Sequence, residues 1–187
     1  LHKTSVAYEN MLVSALLRAK ELASKGVELF ASPALKFFLY NDINRERFKS
    51  DPKCLENFIL LDDNDIWTAL KVWCNHNDII LATLSQGMVN REIFKVEVSP
   101  TPCTEERLNA ISERIAKQLH INKEDTRYFI STPSIEKNMY NPADDSIDIL
   151  YNDGSTTNIA EASDMLHLSV LSKKVKKYYI CYLREKK

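Results

Sequence analysis

The 187-residue chain carries 25 Lys and Arg against 26 Asp and Glu, a net charge of −1, with 44% hydrophobic residues. That balance excludes a general nucleic-acid coat, and the apolar content excludes a disordered segment or a disulfide-stapled miniprotein, leaving one or two globular domains. Only Gly26, Gly87 and Gly154 are present, where an average chain holds about 7% glycine. This excludes a P-loop and a dinucleotide fingerprint, which need clustered glycines to bring backbone N–H groups against phosphate. Any nucleotide bound here must be held by side chains.

Cys54, Cys74, Cys103 and Cys181 form no CxxC pair and the amino end shows no signal-peptide pattern, which predicts reduced thiols in a cytoplasmic protein. No apolar run approaches the ~20 residues that cross a bilayer, so no membrane partner is expected. The first residue is Leu1 rather than Met. That predicts a fragment or processed chain, in which anything catalytic upstream would not be seen.

In chain order, Met11, Ala15 and Ala19 with Leu12, Leu16 and Leu22 recur at helical spacing from Ser5 to about Lys25, and Gly26 stops that helix. Ser32 and Pro33 are a cap and a first-turn proline opening an aromatic-rich helix through Phe37, Phe38 and Leu39. A short helix is predicted around Pro52 to Phe58. Leu61-Asp62-Asp63-Asn64-Asp65 caps the next, which carries Ile66, Ala69, Leu70 and Trp73, and Asp78 caps another through Ile79, Ile80 and Leu84. Residues 1–92 thus read as a helical region.

After Arg91 the period changes. Phe94, Val96 and Val98 alternate against Lys95 and Glu97 as in a half-buried strand. Pro100 and Pro102 end it, and Thr104 caps a helix from Glu105 to Leu119. Strands follow at Arg127–Ser131 and Ser146–Tyr151. The Asn152-Asp153-Gly154-Ser155 turn leads into a short strand at Thr156–Ile159. A helix at Ala160–Leu171 and a strand at Val175–Leu183 complete the order of a split βαβ module. The fold class is therefore α+β: an all-α amino-terminal half, then a ferredoxin-like (βαββαβ) module over 93–187 with an extra hairpin.

Asp62, Asp63 and Asp65 suit helix capping better than metal binding: an EF-hand counted from Asp63 would need Gly and Glu where Thr68 and Cys74 stand. His2, His76, His120 and His167 lack the i, i+4 pairing of a helical metal site. No His-Asp dipeptide and no GxSxG motif is present, so no catalytic or metal-ligating residue is assigned. The carboxyl end from Lys173 is strongly basic, with Tyr178, Tyr179 and Tyr182 interleaved. An RNA-binding sheet is one reading of it, although the glycines of RNP1 are missing; an edge strand shielded by lysines is the plainer one. Arg91 and Lys95, four apart, could clamp a phosphate if the helix continued, or simply form a solvated face.

Leu61-Asp62-Asp63-Asn64-Asp65-Ile66, a helical segment and then Asn90-Arg91-Glu92-Ile93-Phe94-Lys95 together resemble the region downstream of the catalytic core in HD-domain phosphohydrolases, in particular dNTP triphosphohydrolases of the SAM and HD domain type and related bacterial proteins. His2-Lys3 with the helix after it resembles the family's Tyr-x-His-Lys turn. Tyr140-Asn141-Pro142 and Tyr178 to Cys181 resemble the approach to, and the last strand of, its carboxyl-terminal sheet.

The resemblance implies the carboxyl-terminal regulatory and oligomerisation portion of a metal-dependent nucleotide phosphohydrolase. The His…His-Asp…Asp metal site, which holds a divalent ion and activates water, would lie upstream in an HD catalytic domain, and this portion alone would be inactive. It implies a homo-oligomer with a nucleotide effector whose phosphates are bound by His2, Lys3, Arg91 and Lys95. The pattern departs at Glu161, where nucleotide-activated members present a Lys. An RNA-binding ferredoxin-like module and a ligand-free structural interaction domain are the alternatives.

Overall fold

A computed structural model describes residues 2–137, 148–158 and 175–185. Two compact units are present, the first comprising Leu1–Glu97, Cys103–Thr132 and Ile180–Lys187, the second Val98–Pro102 and Pro133–Tyr179. The change from helix to strand near residue 92 is thus a separate property from this division.

In the first unit α1 (Lys3–Ser24) supplies the central stripe. Ala7, Met11, Ala15 and Ala19, spaced four apart, are fully buried. Three of the four are alanines, so neighbouring backbones can approach closely without losing apolar contact. The helix ends in a Schellman turn: Val27 N–H donates to Leu22 O at 3.0 Å and Gly26 N–H to Ala23 O at 3.0 Å. Gly26 stands at φ 81°, a conformation that costs a residue with a Cβ about 1–2 kcal/mol.

Four further helices follow, three of them at the caps expected from the sequence and one with an unexpected cap at Asp51. Ser32 caps α2 (Pro33–Tyr40), Asp51 caps α4 (Pro52–Leu60), a reciprocal Asp62–Asp65 box caps α5 (Asp63–Trp73), and Asp78 caps α6 (Ile79–Val89). An additional short helix, α3 (Arg45–Ser50), is capped by Asn44 and buries no residue. Leu81, Leu84 and Met88 of α6 and Leu70 and Trp73 of α5 complete the core. The Trp73 indole N–H satisfies itself on Phe30 O at 3.0 Å. No helix among the described residues is long and apolar enough to cross a membrane.

The strand β1 (Lys95–Ser99) precedes α7 (Glu105–Leu119), which Thr104 caps. Arg127–Ser131, predicted as strand, is mostly a tight turn: a 3-10 segment spans Lys123–Tyr128, and β2 is only Ile130–Ser131. The cause is polar. Thr126 Oγ1 donates to Lys123 O at 2.6 Å and shares a buried 2.7 Å hydrogen bond with Ser112 of α7, folding the chain back where a strand would extend it.

The last strand, β6 (Val175–Tyr182), lies between β1 and β2, with Ile130 opposite Tyr182 and Ser131 opposite Cys181. It is therefore a central strand and not the edge strand its lysines suggest. Helix α7 links β1 to β2 with β6 between them, the arrangement of a split βαβ unit.

In the second unit β3 (Ser134–Lys137) pairs antiparallel with the start of β6. β4 (Asp148–Leu150) and β5 (Thr156–Asn158) form a two-stranded sheet of their own, closed at Asn152–Ser155 with Gly154 at φ 83°. In the ferredoxin-like reading this stretch adds a strand to the main sheet. With Asp148 and Leu150 both exposed, β4 offers too little apolar face to hold it there. The fold class is α+β, as expected. The expected helix Ala160–Leu171, together with Tyr140-Asn141-Pro142, Glu161 and His167, lies outside the described residues.

Candidate functional site

The junction after α6 is built by a helix that stops without a glycine. Asn90 N–H still reaches Gln86 O at 2.8 Å, and Arg91 N–H reaches Met88 O at 3.3 Å. Arg91 itself is left-handed, at φ 60°. This turn ends the helix, so Arg91 and Lys95 are not carried on one helical face. Inside it, Gly87 is closely packed: a Cβ there would lie 2.7 Å from Met11 Cε and 3.2 Å from Glu92 O.

A cavity of about 820 Å³ opens beside the turn, walled in part by Gln86, Arg91, Glu92, Gln118, Arg184 and Glu185. Its volume is in the range that accepts a small organic ligand. Arg91 is exposed, and its guanidinium has no ion-pair or hydrogen-bond partner among the described residues. Arg184 is held at the rim, its Nε donating to Ile93 O at 2.9 Å. Gln118 Nε2 donates to Arg184 O at 3.2 Å and Arg114 Nη2 to Leu183 O at 2.6 Å, which fixes the end of β6 against α7. The walls thus present two guanidinium groups and two carboxylates, a mixed rather than a purely cationic lining.

Lys95 does not line this cavity. Its ammonium is 2.8 Å from Glu97, which also meets Arg107 at 2.5 Å and the Tyr182 hydroxyl at 2.6 Å. Hydrogen bonds from Lys95 and Tyr182 hold the Glu97 carboxyl down at about 2, and the same contacts raise the Lys95 ammonium. His2 caps α1 through its backbone alone and Lys3 opens the helix, both exposed. Tyr8, further along α1, donates to Met88 O at 3.4 Å, so the start of α1 and the end of α6 lie at the same end of this unit. The four expected residues therefore divide: Arg91 at the cavity, Lys95 in an ion pair, His2 and Lys3 at the start of α1.

Sequence reading missed Arg184, Gln86 and Gln118. Arg184 was visible within the basic terminal run, but its position beside Ile93 depends on β6 pairing next to β1, which composition does not reveal.

The other candidates resolve into structure. Asp62 and Asp65 serve the capping box, Asp62 N–H donating to Asp65 Oδ2 at 2.8 Å. His76 Nδ1 accepts from Asp78 N–H at 2.9 Å, and His120 is the left-handed cap of α7. Tyr179 is buried, and the Tyr182 ring has the Lys95 and Arg114 cations at 5.8 Å from its centroid, so neither ring is open for stacking bases. Among the described residues no three His, Cys, Asp or Glu side chains are grouped to hold a metal ion.

A second polar cluster joins α1, α6 and the 3-10 turn. Arg18 grips Asp78 twice, at 3.1 and 2.6 Å, while Asp78 Oδ1 also accepts Leu81 N–H at 2.9 Å. Burial is the largest single influence on Asp78 and works against its ionisation, but the Arg18 hydrogen bonds, the Leu81 N–H and the Arg18 charge together outweigh it and hold the carboxyl below the ordinary range. Glu21 accepts from Tyr128 and pairs with Lys25, Arg18 and Arg127. These groups are mutually satisfied, which marks them as a staple rather than a reactive centre.

Sequence and fold together relate the chain to a phosphohydrolase. The relative is a phosphohydrolase from Bacteroides thetaiotaomicron VPI-5482, whose crystal structure matches 98% of the present chain at 70% identity with a TM-score of 0.90. The matched region is 46% of the relative's chain, so the present chain spans less than half of its length. No family model matches the chain, and no curated protein matches it.

Proposed function

We propose that this chain is the carboxyl-terminal regulatory and oligomerisation portion of an HD-domain, metal-dependent dNTP phosphohydrolase, with hydrolysis performed by a preceding catalytic domain. The observation carrying the proposal is the 70% identity, across nearly the whole chain, to under half of a phosphohydrolase. His2, Lys3, Arg91 and Lys95 are the proposed contacts of a regulatory nucleotide. A triphosphate brings roughly four negative charges and, without a glycine loop, needs several cationic side chains. Arg91 has no partner among the described residues and supplies a planar fork. Lys95 would exchange Glu97 for phosphate, and because that pair is exposed and screened by solvent, its loss is tolerable.

Metal-dependent release of triphosphate from a dNTP, measured on the 187-residue chain and on its full-length parent, tests the division of labour. Release by the parent and none by the chain is expected. Turnover by the chain alone would place the chemistry here and end the proposal.

A further inference from the structure

The Glu97 carboxylate is seated among donors from three elements. Lys95 shares its face of β1, since residues two apart along a strand point the same way. Arg107 comes from the first turn of α7 and Tyr182 from the end of β6. Lys95 Nζ lies 2.8 Å from Glu97 Oε1, to which the Tyr182 hydroxyl also donates at 2.6 Å, and Arg107 Nη2 lies 2.5 Å from Glu97 Oε2. Arg114 stands 5.8 Å from the centroid of the Tyr182 ring, its Nη1 and Nη2 given to Gln118 and to Leu183 O, and adds a further positive charge. Glu105 and Glu106 precede Arg107 on α7 and are exposed, but residues one and two apart on a helix do not share a face.

We infer that Lys95, Arg107 and the Tyr182 hydroxyl form a binding site for a phosphate group, which Glu97 holds closed as an internal competitor. The number of acceptor oxygens favours the exchange. A carboxylate has two, so Lys95 and Tyr182 must share Oε1, whereas a phosphate gives each donor an oxygen of its own. A phosphate monoester also carries a charge of about −1.5 to −2 at pH 7, against −1 for the carboxylate. Access favours it too: the Lys95 and Arg107 side chains are 54% and 52% exposed and that of Glu97 28%, so an incoming anion meets the cations before the carboxylate. The inference rests on the reading above that Lys95 meets a nucleotide phosphate and extends it to Arg107, Tyr182 and Glu97. It uses neither Arg91 nor the residues at the start of α1, so the two can fail separately.

Calorimetric binding of inorganic triphosphate to the 187-residue chain at low salt is the test, with ligand-free melting temperatures to show that each variant is folded. Glu97→Gln keeps an acceptor for Tyr182 while removing the competing charge, and should tighten binding at least about tenfold over the wild-type chain. Adding Arg107→Ala to Glu97→Gln should abolish that gain. Glu113→Gln changes the net charge by the same unit but releases a single cation, Lys123, and should gain nothing. dATP in place of inorganic triphosphate separates the sources of the phosphate: a gain with both supports the site as one for a nucleotide, and a gain with inorganic triphosphate alone supports it as one for free polyphosphate and removes Lys95 from the nucleotide reading. An unchanged affinity in Glu97→Gln, a gain that survives Arg107→Ala, or an equal gain in Glu113→Gln would overturn the inference.

Discussion

Glu21 carries more of the first unit's polar organisation than its place on a helix surface suggests. Lys25 and Tyr128 hydrogen bonds hold its carboxyl down at about 2, with Arg18 adding to the effect. A carboxyl depressed in the folded state contributes stability that is complete above its unfolded value near 4.3 and disappears as pH falls toward 2. Glu97 titrates in the same sense and the same window. Urea midpoints should therefore drop between pH 5 and pH 2 in the wild-type chain. Glu21→Gln should start lower at pH 7 and lose less over that interval; parallel curves for the two proteins would contradict the assignment. Arg91 shows the opposite economy: a residue with a Cβ held left-handed, a conformation found at few non-glycine positions. Neither feature was legible in the sequence, because both depend on which carbonyls and carboxylates lie across the fold.

At the level of elements, the polar signals at helix starts were the most readable. Ser32, Asp62, Asp78 and Thr104 each accept from the backbone two or three residues on, where their types and positions placed them. Helix α3 escaped notice because, with nothing buried, it carries no apolar period, only the Asn44 cap. The Lys123–Tyr128 turn escaped because the buried Ser112–Thr126 bond that sets it joins two elements and leaves no local pattern. The α6–β1 turn yields a prediction of its own. Alanine at Gly87 gains about 1 kcal/mol of helix propensity, yet its methyl must displace Met11 Cε and press on the Glu92 carbonyl. Overpacking of this kind costs about 1–3 kcal/mol. Thermal unfolding should show Gly87→Ala lowered by about 2–4 °C. A raised midpoint would mean that Met11 swings clear and the glycine is dispensable.

For the whole molecule, the near-neutral charge and scarce glycines exclude loop-cradled phosphate and leave cationic side chains as the means of holding a nucleotide. Composition could not say which cations remain free. Arg91 lies at a cavity with no partner among the described residues, while Lys95 is bound to Glu97 and would have to leave it to meet a phosphate. The α+β division was legible from the change of period at Arg91. The central position of β6 was not, since lysines and tyrosines suit an edge as well as a core strand. The proposed regulatory nucleotide site is tested most directly by whether a dNTP raises the melting temperature of the full-length protein in the absence of turnover. A ligand at about 100 times its Kd should stabilise the folded state by about 2.7 kcal/mol. With Arg91→Ala and Lys95→Ala together the stabilisation should vanish, and with Lys123→Ala, which breaks only the exposed pair to Glu113, it should persist. Full stabilisation of the double variant would contradict the assignment of these residues to a regulatory nucleotide.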